Sequence, residues 1–221
     1  MKKYELTEET IQFEGKTLYR IRAFKAFNDV KAGDLGGYVE SEDNLSQEGN
    51  CWISDEAKVY NIAWISGNAQ ISDDVQVYGE ALVCNNALIY GNAKVYDNAR
   101  IYDKAMVCDN AQVYGNALVY ENAKIFNNAK VYGYAKVYSN ASVSVIICDH
   151  AKIYGSAQVY DTALVCGYAE VYGNAQIYGN VQLRDKVYGN AKIYNQLTLK
   201  NYLTNTNEST SLRSLLSKLN S

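Results

Sequence analysis

Val95-Tyr96-Asp97-Asn98-Ala99-Arg100 is followed at once by Ile101-Tyr102-Asp103-Lys104-Ala105-Met106, one six-residue unit written twice. Copies run from about Ile53 to Leu199; Val119-Tyr120-Glu121-Asn122-Ala123-Lys124 is another. A fixed period with apolar residues held in phase marks a solenoid. If the aliphatic position is called i, it holds Val59, Ile65, Ile71, Val77, Val83 and Ile89 in turn. Position i−2 is nearly always alanine, as at Ala57, Ala69, Ala87 and Ala93. Two inward residues two apart, one large and one small, describe a short strand with alternate side chains buried. A helix is excluded, because a period of six does not keep one face of a 3.6-residue turn inside. Positions i+2 and i+3 are mostly Gly, Asp, Asn or Ser, which tolerate the left-handed backbone of a tight corner. Each hexad is one strand and one corner, and three hexads close a triangle.

The predicted fold is therefore all-β: a parallel β-helix (β-solenoid) of about eight triangular coils of 18 residues, roughly 40 Å long. Residues 1–50 lack the hexad and read as a strand-rich cap, with Glu14-Gly15 as a turn. Residues 51–203 form the β-helix. Residues 204–221 read as a polar linker and an amphipathic helix with Leu212, Leu215, Leu216 and Leu219 on one stripe. The chain of 221 residues contains no proline. Proline would remove a donor that every strand of a solenoid needs.

The phase slips twice. Val143-Ser144-Val145-Ile146-Ile147 and Leu183-Arg184-Asp185-Lys186-Val187 each advance four residues rather than six. Each slip reads as a shortened corner.

Sorting by 18 assigns residues to faces. Position i+1 of the first face holds Tyr60, Tyr78, Tyr96, Tyr114 and Tyr132, then Cys148, Cys166 and Arg184. The second holds Tyr102, Tyr120, Tyr138, Tyr154, Tyr172 and Tyr188, flanked by Arg100, Lys136, Lys152 and Lys186. Stacked one above another, these form ladders about 4.8 Å apart. Their first role is structural, since cross-strand aromatic pairs stabilise a sheet. A ligand-stacking platform is the sharper reading, with Tyr102, Tyr120, Tyr138, Tyr154, Lys136 and Lys152 as its residues. Apolar side chains also face outward: Trp64, Leu82 and Leu118 on the second face, Leu88, Met106 and Phe126 on the third, Ile146 and Leu164 on the first. Such clusters mark protein contacts, here a heterologous interface about a rotation axis, with a homotrimer favoured.

Bulk properties narrow the partners. With 21 basic and 24 acidic residues the net charge is −3, which excludes a general nucleic-acid surface. No apolar run approaches a membrane span, and Met1-Lys2-Lys3-Tyr4-Glu5-Leu6 lacks a signal core, so no membrane association is expected. Five cysteines without a CxxC pair indicate a reduced, cytoplasmic setting. No metal set with zinc spacing and no cofactor motif stands out; Cys148 and Cys166 read as a reduced apolar pair on adjacent coils.

Aliphatic i, small i−2 and frequent Asn at i+3 resemble the hexapeptide repeat of left-handed parallel β-helix proteins. The tyrosines and the entry segment Gly33-Asp34-Leu35-Gly36-Gly37-Tyr38-Val39-Glu40-Ser41 are similar to bacterial and prophage proteins of YdcK type. The resemblance implies a left-handed coil. It also implies an acyltransferase reading, in which a histidine near a subunit interface serves as base. The sole histidine, His150, stands at a corner where Asn is usual. It reads as a corner residue, and it is the single candidate for that base. The leading expectation is a non-catalytic, oligomeric binding protein presenting Tyr and Lys faces to a host protein or a small ligand, such as a nucleotide signal in a phage accessory role. The alternatives are a hexapeptide-type acyltransferase using His150 and a polymer-forming scaffold.

Overall fold

The structure is a computed structural model and describes residues 2–206. Strands β1 (Tyr4–Phe13) and β2 (Lys16–Ala23) pair antiparallel around a turn in which Glu14 and Gly15 have φ of 48° and 76°. Strand β3 (Leu35–Val39) is antiparallel to β2 on one edge and parallel to Lys58–Val59 on the other. It thus converts the hairpin into the solenoid. Two glycines permit this. A Cβ on Gly36 would meet the Ile53 carbonyl oxygen, and one on Gly37 the Ala57 oxygen, each at 2.5 Å.

Beyond β3 each hexad contributes a two-residue strand made of i−1 and i, and these strands stack in parallel in three sheets; one sheet has 11 members because it also takes in β1, β2 and β3, and the others have 9 and 8. The register is one coil: Lys94 pairs with Gln112 and Val95 with Val113. Side chains at i and, with exceptions such as Asp185 and Ala191 near the far end, at i−2 are buried, so β-branched residues and alanines fill most of the interior, joined by Leu45, Cys51 and Leu183. Amides donate to the next coil even at the corners, as in Tyr96 N to Val113 O (3.0 Å) and Asn98 N to Gly115 O (2.9 Å).

Only i+2 takes the left-handed backbone, as at Asp97 (φ 56°) and Asp103 (φ 60°). The sequence pooled i+2 with i+3; the structure separates them. Aspartate recurs at i+2 for a second reason: its carboxylate accepts from the corner amide one coil on. Asp109 Oδ2 does so from Asn127 N at 2.8 Å and Asp97 Oδ2 from Gly115 N at 3.1 Å. Both slips are shortened corners without a left-handed residue, and register resumes with Val131 opposite Ile147.

There are about nine coils rather than eight. Val39 and an isolated bridge from Leu45 to Ile65 supply rungs of an extra first coil. It was hidden because Gly37 and Asp43 stand where alanine marks the later coils, and because Ile53 follows Leu45 by eight residues. At the far end Leu199 is not a strand position. A helix begins at 196 and continues to 206, taking in residues 204–206 that read as linker. The physical reason is a cap: Asn195 Oδ1 accepts from Thr198 N (2.8 Å), while Thr198 Oγ1 accepts from Asn195 N (3.1 Å). Buried Leu199 closes the last coil, and Tyr202 Oη accepts from Tyr188 N at 3.1 Å. The leucine stripe expected at 212–219 lies outside the described residues.

The first coil is sealed by Lys3, 1% exposed, whose Nζ donates to the Cys51 carbonyl at 2.9 Å and to Cys51 Sγ at 3.2 Å. Burial pushes the Lys3 pKa below its ordinary value. Lys3→Ala leaves those acceptors buried without a donor and should cost about 1–3 kcal/mol in urea unfolding. A loss below about 0.5 kcal/mol, within the range of a neutral surface change, would contradict this role for Lys3.

Candidate functional site

The tyrosine ladders are real stacks. On the first face, ring centroids from Tyr60 to Tyr132 are 4.8–5.0 Å apart with planes within 7°. On the second, Tyr102, Tyr120, Tyr138 and Tyr154 follow one another at 4.9–5.0 Å. The stack continues through Tyr172 to Tyr188. The structure therefore brings these four residues together, but their ring faces are already occupied by one another. An interior rung offers a partner only its edge and hydroxyl, so a flat ligand cannot insert. Lys152 beside them is engaged by Glu170 (3.2 Å), which also holds Lys186 at 3.0 Å. These lysines, Lys186 first, hold the Glu170 carboxyl below its ordinary pKa. Lys136 makes no ion pair among the described residues.

Between residues 53 and 193 the two short corners are the places where the hexad period breaks. The first shortens the corner between the third and first faces, and an open notch of about 1190 Å³ lies there. Phe126, Ser144 and Tyr160 form one wall and Ile146 and Ala163 the other, with Val145 between them. Asp109, Asn127 and Asn128 line one rim, Asp161 and Thr162 the opposite one. Aromatic and aliphatic walls with amides, hydroxyls and carboxylates at the mouth suit a side chain or small polar molecule. Of the residues singled out from sequence, Phe126 and Ile146 meet here. Ser142, Gln158, Asp161 and Thr162 were missed, although the slip itself was the signal that could have found them.

At the edge of the notch, Ile146 pairs with Leu164 on the first face next to buried Cys148 and Cys166. Trp64, Leu88 and Ile146 are exposed, while Leu82, Met106, Leu118, Phe126 and Leu164 are half-buried. Met106 is held by Tyr90, whose hydroxyl lies 3.3 Å from its sulfur.

His150 is elsewhere, on the corner between the first and second faces. Its ring lies flat between Tyr134 and Tyr168, with centroids 5.1 and 4.8 Å away and planes within 4°. These two tyrosines are 57% and 76% exposed, so the three-ring stack stands in solvent. Among the described residues no side chain hydrogen-bonds the imidazole.

The repeat at residues 111–124 matches the family model described as the YdcK beta solenoid repeat. That stretch reads as a YdcK-type β-solenoid repeat. Over 79 residues it is 43% identical to a protein of Escherichia coli (strain K12) named an uncharacterized acetyltransferase, YdcK. That match covers 32% of this chain and 24% of the relative, so the chain aligns with about a quarter of that protein's length. The hexad itself accounts for the ladders, the corners and the alanine core. The notch and the three-ring stack are features the hexad alone does not account for. Among the described residues no helix is long and apolar enough to cross a membrane.

Proposed function

We propose that this protein is a non-catalytic binding solenoid that works as a homo-oligomer, with a trimer favoured. The observation that carries this reading is the setting of His150. A histidine acting as general base needs an open lone pair beside the acceptor and is normally oriented by a second group. Among the described residues no carboxylate or other side chain hydrogen-bonds His150 to orient it, and its ring is held only by the two exposed tyrosines stacked on its faces. What the molecule offers instead is a rigid surface: an apolar strip of Ile146 and Leu164, a notch along its edge, and Tyr and Lys columns around the corner. Exposed apolar side chains at different heights on three faces suit a heterologous contact closed by rotation. The notch, bordering that strip, is then placed to receive a side chain of the neighbouring copy, another protein or a small polar ligand.

Light scattering on the full chain tests this. The expected mass is three times the 24.7 kDa chain. Ile146→Glu with Leu164→Glu should convert it to single chains with unchanged circular dichroism. A wild type that is monomeric at micromolar concentration would remove the oligomeric part of the proposal. Calorimetry against cyclic nucleotides tests the small-ligand form, for which absence of heat is the negative result.

A second reading, acetyl transfer, is favoured by one observation, the name carried by the Escherichia coli relative. Shared fold and partial identity are weak warrant for shared chemistry.

A further inference from the structure

In the i+1 column of the first face, five stacked tyrosines give way to two thiols. Ile146 pairs with Leu164 and Ile147 with Val165, so Cys148 and Cys166 occupy the same place on adjacent coils. Backbone bonds fix both: Cys148 N donates to Val165 O and Cys166 N to Leu183 O. Asp149 follows Cys148 at the left-handed corner (φ 59°), and its Oδ2 accepts from Gly167 N at 2.9 Å. That bond orients the carboxylate and leaves Oδ1 without a hydrogen bond among the described residues. The two sulfurs and a carboxylate oxygen of Asp149 all lie within 4.8 Å of one another. The thiols are 6% and 5% exposed, and Asp149 is open to solvent.

We infer that Cys148, Cys166 and Asp149 form a binding site for a thiophilic divalent cation of the zinc class. Tetrahedral zinc with bonds of about 2.3 Å to sulfur places two thiolates about 3.8 Å apart, within reach of this pair after a small contraction. Two soft sulfurs and one carboxylate favour zinc or cobalt over magnesium or calcium, which take oxygen sets. The Asp149–Gly167 bond is the outer support that a metal-bound carboxylate needs. Three protein donors leave one position toward solvent for water or a further ligand. Linear sequence hid the site because its spacing is one coil, not the two to four residues of a zinc knuckle. This inference stands apart from the proposed binding role, since either can fail without the other.

Binding replaces two thiol protons by the metal, so two protons should be released per ion at neutral pH. The competing fate of the same pair is a disulfide, since strands this close bring Cα atoms into bridging range. The test uses the reduced full chain and cobalt(II) as a visible substitute for zinc. One equivalent should give sulfur-to-cobalt charge-transfer absorption that zinc abolishes. Cys148→Ser and Cys166→Ser should each remove the band, and Asp149→Asn should weaken binding at least tenfold. Absence of the band in wild-type protein at tenfold excess cobalt would overturn the inference. So would a band that survives in the double serine variant, because Cys51, Cys84 and Cys108 would then be responsible.

Discussion

Ile125→Ala in the middle of the prism should lower stability by about 2–5 kcal/mol, measured as a shift of the urea midpoint at constant slope. Ile125 is fully buried at position i, with Val107 and Val143 at the same position on the coils on either side. The interior holds one large and one small side chain per hexad, so few neighbours can move in to fill a lost methyl group. A solenoid also couples each coil only to the next, and weakening a central interface loosens both halves. Lys124→Ala, one residue away on the exposed side of the same strand, should change stability by less than about 0.5 kcal/mol. Equal costs at the two positions would contradict the assignment of inward and outward residues.

A spectrophotometric titration of tyrosine should lag well behind that of the unfolded chain. The phenols of Tyr96 and Tyr120 are pushed up to about 12, first by burial in the ladder and then by tyrosines above and below that would carry like charge. The sign follows directly. Unfolded tyrosine releases its proton near pH 10, before the ladder does, so between about 10 and 12 the native state binds more protons. Stability falls as pH rises through that window, and the protein should unfold cooperatively there as several rungs ionise together. A folded protein whose ladder tyrosines all titrate near pH 10 would show that the stacks are open to water.

The architecture was legible because each repeat position has its own physical demand: a β-branched residue at i, alanine at i−2, a left-handed residue at i+2. Where that demand is met by an unusual residue, the reading failed. Gly37 in place of alanine hid the first coil, and Leu199, aliphatic and in phase, disguised a helix that Asn195 caps. Sorting by 18 correctly grouped Tyr102 through Tyr154, but no pattern says that stacked rings cover one another's faces and leave only edges. The notch was legible only as a missing pair of residues at Ser144-Val145; its rim residues belong to other coils. His150 stood out in sequence because it is single. Its ring contacts depend on Tyr134 and Tyr168, 16 and 18 residues away, and they give it a stacking place at its corner that no local pattern announces.

Release of coenzyme A thiol from acetyl-coenzyme A, measured with wild-type protein and a panel of amine and hydroxyl acceptors, tests the central claim most directly. The account predicts no release above the protein-free rate, and no change on His150→Ala. Turnover by the wild type that is lost in a folded His150→Ala variant would contradict it.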